Sequence, residues 1–197
     1  MNNVAPERAC AHGAGAPSPW IVRWAHLIPA AGKVLDVACG AGRHTRFLHG
    51  LGHRLTALDR DPAAIAAVAS MAEAIEADIE GGPWPLAGRD FDGVIVTNYL
   101  WRPRLPDIVA AVAPGGVLLY ETFAQGNESV GRPARPDFLL APGELLAAVA
   151  GLRVVAYEDG FLTGPERFVQ RITAVRPAAA PTGTPPRYPL GPVSAPQ

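Results

Sequence analysis

A short apolar run, Val34 to Ala38 (VLDVA), passes directly into Cys39-Gly40-Ala41-Gly42-Arg43. His44, Phe47, Leu48 and Leu51 then follow at the spacing i, i+3, i+4, i+7. The run reads as a strand and the spacing as one face of a helix. Gly40 and Gly42 give the junction the backbone freedom that a tight turn requires, and they let another molecule approach the main chain closely. An acid, Asp36, stands inside the strand, where a carboxylate needs a partner. A strand that turns this sharply into a helix belongs to an open α/β sheet, in which ligands settle beyond the carboxyl ends of the strands.

The alternation continues along the chain. Leu55 to Asp59 (LTALD) is a second strand. Asp61 and Pro62 supply a cap and a first-turn proline, and Ile65, Val68 and Met71 mark that helix's buried face. A weaker strand runs around Ala74 to Asp78, and a firm one covers Val94 to Thr97. Leu105, Ile108, Val109 and Val112 repeat the helical spacing until Pro114-Gly115-Gly116 breaks it. Val117 to Tyr120 is a further strand, and Leu145, Leu146 and Val149 mark a short helix. Leu152 to Ala156 and Phe168 to Val175 are two late strands, joined through Asp159-Gly160 and Gly164-Pro165. Trp20 to Ile28 reads as an extra helix before the first strand, near the sheet's carboxyl edge. The pattern predicts a single α/β domain with a Rossmann-like, doubly wound, mostly parallel sheet. The last two strands, with no helix between them, form an antiparallel terminal hairpin. The domain is expected over residues 18–176, after a flexible leader (1–17) and before a disordered tail (177–197) that holds seven prolines in 21 residues.

Two classes of cofactor use a loop of this kind. A dinucleotide needs GxGxxG, but the third position here is Thr45. Asp36 would also repel a pyrophosphate, whereas it attracts an ammonium group. A cofactor with an amino-acid head group, a sulfonium charge and no phosphate fits better, and S-adenosylmethionine has those features. Asp59 ends the second strand, where an acid can accept hydrogen bonds from both ribose hydroxyls. Asp78 and Ile79 follow the third strand, suited to an adenine amino group and ring. Asn98 and Tyr99 follow the fourth, beside the place a methyl group would occupy.

Together, VLDVACGAGRHT, LTALD, EADI, FDGVIVTNYL and PGGVLLYETF resemble the ordered motifs of the class I S-adenosylmethionine-dependent methyltransferases. The resemblance spans roughly residues 18–176. It implies a seven-stranded sheet with a reversed terminal strand. It also implies a cofactor site built on Asp36, Ala38, Gly40, Gly42, Arg43, Asp59, Arg60, Asp78, Ile79 and Asn98. The GRHT loop and FLLAPGEL (Phe138 to Leu145) are similar to the small bacterial enzymes grouped with tellurite-resistance and thiopurine methyltransferases. The fourth strand ends in Asn98-Tyr99-Leu100-Trp101, unlike the proline pair and aromatic of the amino-methylating nucleic-acid enzymes.

These features predict methyl transfer to a small molecule by in-line displacement. Tyr99 and Glu121 are the candidate bases, and Tyr99, Trp101, Arg102 and Phe123 the candidate acceptor contacts. Methylation of RNA or protein, and a non-catalytic cofactor-binding regulatory domain, are the alternatives. A net charge of −1, with sixteen Arg and one Lys against eighteen acids, speaks against nucleic acid as a partner. No apolar run approaches the ~18 residues of a membrane helix. Two cysteines without CxxC, and five histidines without ligand spacing, predict neither a disulfide framework nor a metal. The expected compartment is the cytoplasm. The oligomeric state is not legible in the sequence.

Overall fold

In the computed structural model, residues 15–178 and 186–191 are described. Most of the expected leader and much of the expected tail therefore lie outside the described residues. Among the described residues the first elements are α1 (Pro19–Trp24) and a single turn of 3₁₀ helix. It continues through β1 (Lys33–Val37), α2 (Arg43–Gly50), β2 (Arg54–Asp59), α3 (Pro62–Val68) and β3 (Ala72–Glu76). It then forms β4 (Phe91–Thr97), α4 (Leu105–Ala110), β5 (Val112–Phe123) and α5 (Glu144–Ala148). The antiparallel pair β6 (Arg153–Thr163) and β7 (Glu166–Val175) completes the domain.

The seven strands make one sheet in the order β3-β2-β1-β4-β5-β7-β6. The first five strands run parallel, and β7 is antiparallel to both of its neighbours. The order reverses between β1 and β4, so a crevice opens beyond their carboxyl ends. β6 is longer than the sequence suggests. It runs straight through Asp159 and Gly160, and the chain turns only at Gly164-Pro165. Gly160 pairs with Val169 in the ladder, and strand pairing overrides its turn preference.

Alternation along the strands sorts the core into two faces. Leu35, Val37, Val94, Val96, Leu118 and Tyr120 point to the face covered by α4 and α5. The connection from β3 to β4 carries no helix, and Ile79, Leu86 and Trp84 pack there in its place. Val34, Ile95, Val117 and Leu119 point to the other face, under α1 and α2.

α1 begins at Ser18, whose hydroxyl accepts the amide hydrogen of Trp20. It buries Trp20, Ile21 and Trp24 almost completely. Removing a buried aromatic side chain costs about 3–5 kcal/mol, so the two tryptophans dominate what holds this six-residue helix in place. From the proline-rich tail, Tyr188 packs beside the same cluster under Arg153, and the Pro189 carbonyl lies 3.1 Å from His26 Nε2.

Candidate active site

The turn from β1 into α2 is built on left-handed backbone. Ala38, Gly40 and Gly42 all have positive φ, at 52°, 53° and 77°. A Cβ at Gly42 would overlap a methyl group of Val68 on α3. Gly42→Ala is therefore expected to destabilise the fold by about 2–4 kcal/mol, from left-handed strain and overpacking together. Denaturant melts check this, and adding Val68→Ala should recover the overpacking part alone.

Two acids tie the turn down. Asp59, at the end of β2, accepts the Gly40 amide through Oδ2 at 2.8 Å and the Asp61 amide through Oδ1 at 2.9 Å. Asp36 lies buried under the turn, and the Thr45 hydroxyl donates to its Oδ2 at 2.7 Å. Burial raises the Asp36 carboxyl to about 6, although Thr45 and Arg43 act in the opposite direction. Thr45, which breaks the dinucleotide fingerprint, is thus the lock on the acid that replaces it.

Two adjoining recesses meet at Ala38. The first is lined by Leu58, Asp59, Arg60, Ala77, Asp78, Ile79, Glu80 and Tyr99. Its floor is apolar and its rim acidic. Asp78 is exposed and accepts the amides of Glu80 and Gly81 through Oδ1, which lowers its pKa. Arg60 and Glu80 pair at 3.5 Å along the same edge. The second recess is lined by Ala38, Cys39, Gly40, Arg43, His44, Thr97 and Asn98. Asn98 takes the left-handed conformation there, at φ 54°, and its amide donates to the Glu121 carbonyl.

Behind the second recess, one register row crosses four strands: Thr97, Glu121, Arg171 and Glu158. α1 and α2 lie along this row. His44 faces Thr97, with 3.3 Å between Nδ1 and Oγ1, and its Nε2 accepts the Ser18 amide. Nδ1 must then carry the proton and donate. Burial lowers the His44 pKa to about 3, so the ring is neutral. The Ser18 hydroxyl donates to Glu121 at 3.0 Å. Trp20 lies beneath the Arg171 guanidinium, and Arg23 pairs with Glu158 at 3.5 Å. Arg171 bridges Glu121 and Glu158, while Arg167 reaches Glu121 at 3.5 Å.

The placements revise several sequence expectations. Tyr99 lines the first recess with Asp59 and Asp78, and it is not among the residues of the second. Its hydroxyl is buried without a hydrogen-bond partner, and burial raises its pKa, so at neutral pH it is a donor and no base. Glu121 is fully buried and held by Ser18, Arg167 and Arg171, the surroundings of a fixed anion. Arg102 uses its donors on Glu144 and on the carbonyls of Asp137 and Leu139, so it braces the loop before α5. Trp101 lines neither recess. Phe123 also lines neither, and strand alternation puts it one step beyond Glu121 on the same face. Sequence reading missed Ser18, Thr45, Arg167 and Arg171. The one available signal was Arg167-Phe168-Val169-Gln170-Arg171, which sets both arginines on a single strand face.

Among the described residues no cluster of His, Cys, Asp or Glu could hold a metal, and no helix is long and apolar enough to cross a membrane.

Comparison with known proteins adds the following. Residues 34–116 match a family described as a methyltransferase domain. A malonyl-[acyl-carrier protein] O-methyltransferase of Serratia marcescens is 35% identical over 105 residues, 48% of this chain and 40% of that protein. Hemagglutinin 1 of Eikenella corrodens is 26% identical over 140 residues, 64% of this chain and 46% of that one. The chain thus spans less than half the length of these curated relatives. Among solved structures, TehB from Haemophilus influenzae superposes with a TM-score of 0.63 at 22% identity, over 77% of this chain and 60% of that one.

Proposed function

We propose that this chain is a class I S-adenosylmethionine-dependent methyltransferase and that it methylates a small-molecule acceptor bound on the Thr97–Asn98 side of the second recess, whose Gly40–Arg43 side takes the cofactor's amino-acid end. The observation that carries this reading is the pair of recesses joined at Ala38, one suited to an adenosine and the other to a reacting partner. The fit to the cofactor rests on the donor set. Asp59 and Asp78 rim an apolar floor, and Tyr99 lines the same space. When bound, S-adenosylmethionine supplies a methyl group activated by a positive sulfur, which keeps the electrons of the broken bond on transfer.

In this reading Asp59 and Arg60 hold the ribose, and Asp78 and Ile79 hold the adenine, with Tyr99 packing beside them. Asp36 receives the ammonium end through the turn formed by Ala38, Gly40 and Gly42, and Arg43 closes that end. Asn98 lines the second recess and orients the reacting pair there. Holding two reactants in line contributes roughly 7–11 kcal/mol, so an acceptor that already offers a lone pair requires no base. A small acceptor agrees with the malonyl-carrier relative and with the net charge of −1.

The reading is tested by calorimetric titration with S-adenosylhomocysteine, with NAD as the control. Saturable binding of the first alone is the expected result. Failure of S-adenosylhomocysteine to bind, or equal binding of NAD, would overturn it.

A further inference from the structure

The row behind the second recess holds more positive charge than it neutralises. Four guanidinium groups, from Arg23, Arg43, Arg167 and Arg171, face the carboxylates of Glu121 and Glu158. Arg43 also faces Asp36 across the turn, and the set still carries one cation more than it has carboxylates. The surplus is not spread evenly. Arg171 is shared between Glu121 and Glu158, and Arg23 rests on Glu158. Arg167 has only the long contact to Glu121, and its Nε is buried with no hydrogen-bond partner. Arg43 lines the second recess, is half-buried, and makes no ion pair or hydrogen bond of its own among the described residues. Arg43 shares the recess with Thr97, and Glu121, the register partner of Thr97, is reached by Arg167 at 3.5 Å, so the two guanidinium groups approach the same strand ends.

Two partly desolvated cations of this kind are costly unless an anion joins them. A guanidinium presents parallel N–H groups that match the two oxygens of a carboxylate or phosphate. We propose that Arg43 and Arg167 form an anion subsite at the acceptor end of the crevice, which takes a carboxylate or phosphate group of the methyl acceptor. This rests on the methyl-transfer reading and narrows its substrate class. Arg43 belongs to both halves of the site, at the edge of the cofactor's turn. Arg167, on β7, belongs to the acceptor half and carries the test.

The test titrates the protein, saturated with S-adenosylhomocysteine, with malonate, with inorganic phosphate and with dimethyl malonate as the neutral counterpart of the first. Saturable binding of malonate or phosphate, but not of dimethyl malonate, is expected. Which anion binds more tightly separates a carboxylate site from a phosphate site. Arg167→Gln should weaken that binding by about tenfold or more, the loss of a hydrogen bond to a charged group. Its circular dichroism and its affinity for S-adenosylhomocysteine report whether the fold survives. Should that variant not fold, Arg167→Lys, which keeps the charge and loses the paired geometry, decides the question on the same readout. Anion binding unchanged in the folded variant, or no anion binding to the loaded wild-type protein, would overturn the subsite. The latter result would mean that the cofactor's own carboxylate occupies the arginines. Failure of the wild-type protein to bind S-adenosylhomocysteine would instead overturn the methyl-transfer reading.

Discussion

Asp59→Ala will lower the affinity for S-adenosylhomocysteine by about 100-fold or more, through the loss of two hydrogen bonds to a charged group. The carboxylate has two tasks in this structure. It holds the Gly40 amide and so fixes the turn, and it presents an acid at the rim of the first recess. Alanine removes both. Asp59→Asn separates them: the amide oxygen can still accept from Gly40, but the charge is gone. An intermediate loss for asparagine is therefore expected. Titration calorimetry on both variants, with circular dichroism as the folding check, decides the matter. An alanine variant within threefold of wild type would show that the ribose end of the cofactor lies elsewhere.

The second large effect concerns pH. The Asp36 carboxyl is raised in the fold from 3.8 to about 6, and the His44 ring is lowered from 6.5 to about 3. Both shifts come mainly from burial, but they act in opposite directions on stability. For Asp36 the folded state binds the proton more tightly, so its contribution is present below pH 4 and is lost as pH rises to about 6. For His44 the unfolded state binds the proton more tightly, so stability is lost as pH falls from 6.5 toward 3. Between pH 4.5 and 6 the two slopes nearly cancel. The carboxylates lowered by surface partners, Glu73, Asp78 and Glu144, act below that window. His53, also lowered by burial, adds a slope of the same sign as His44, so the wild-type protein should show only a shallow rise with pH across it. Asp36→Asn should show a rise with pH of about 1.4 kcal/mol per unit or more, because the slope of His44, with that of His53, is no longer opposed. The same variant should bind S-adenosylhomocysteine about tenfold more weakly, the ammonium partner having lost its charge. Urea melts at several pH values check the first statement. A level profile for the variant would show that burial does not lower His44, and a wild-type profile as steep as the variant's would show that Asp36 does not ionise in this range.

The sheet was legible because it is written locally. Val34 to Ala38, Leu55 to Asp59 and Val94 to Thr97 each carry their own apolar run and their own stop, and the Gly40–Gly42 turn announces the edge where a ligand sits. The first recess was legible for the same reason, since Asp59, Asp78 and Ile79 each follow a strand directly. The second half of the site was not. Glu121 looks like any acid at a strand end until strand order sets Arg171 opposite it, fifty residues later. Arg102 looks like a crevice residue until Glu144 is seen to hold it. Tyr99 was placed at the right edge, but the burial of its hydroxyl was not legible, because it is a property of packing and not of position.

The two recesses and the charged row behind the second differ in how much of the chain they need. The first recess draws on residues 38–99 alone, all of them early in the polypeptide and carried by adjacent strands. The row behind the second joins Ser18 to Glu121 and Glu121 to Arg171, so it exists only when nearly the whole domain has been made and β7 has slipped between β5 and β6. During synthesis, then, both recesses can take shape long before the charged row that backs the second. A chain that stalls or is cut before β7 would carry both recesses without Arg167 and Arg171 behind them.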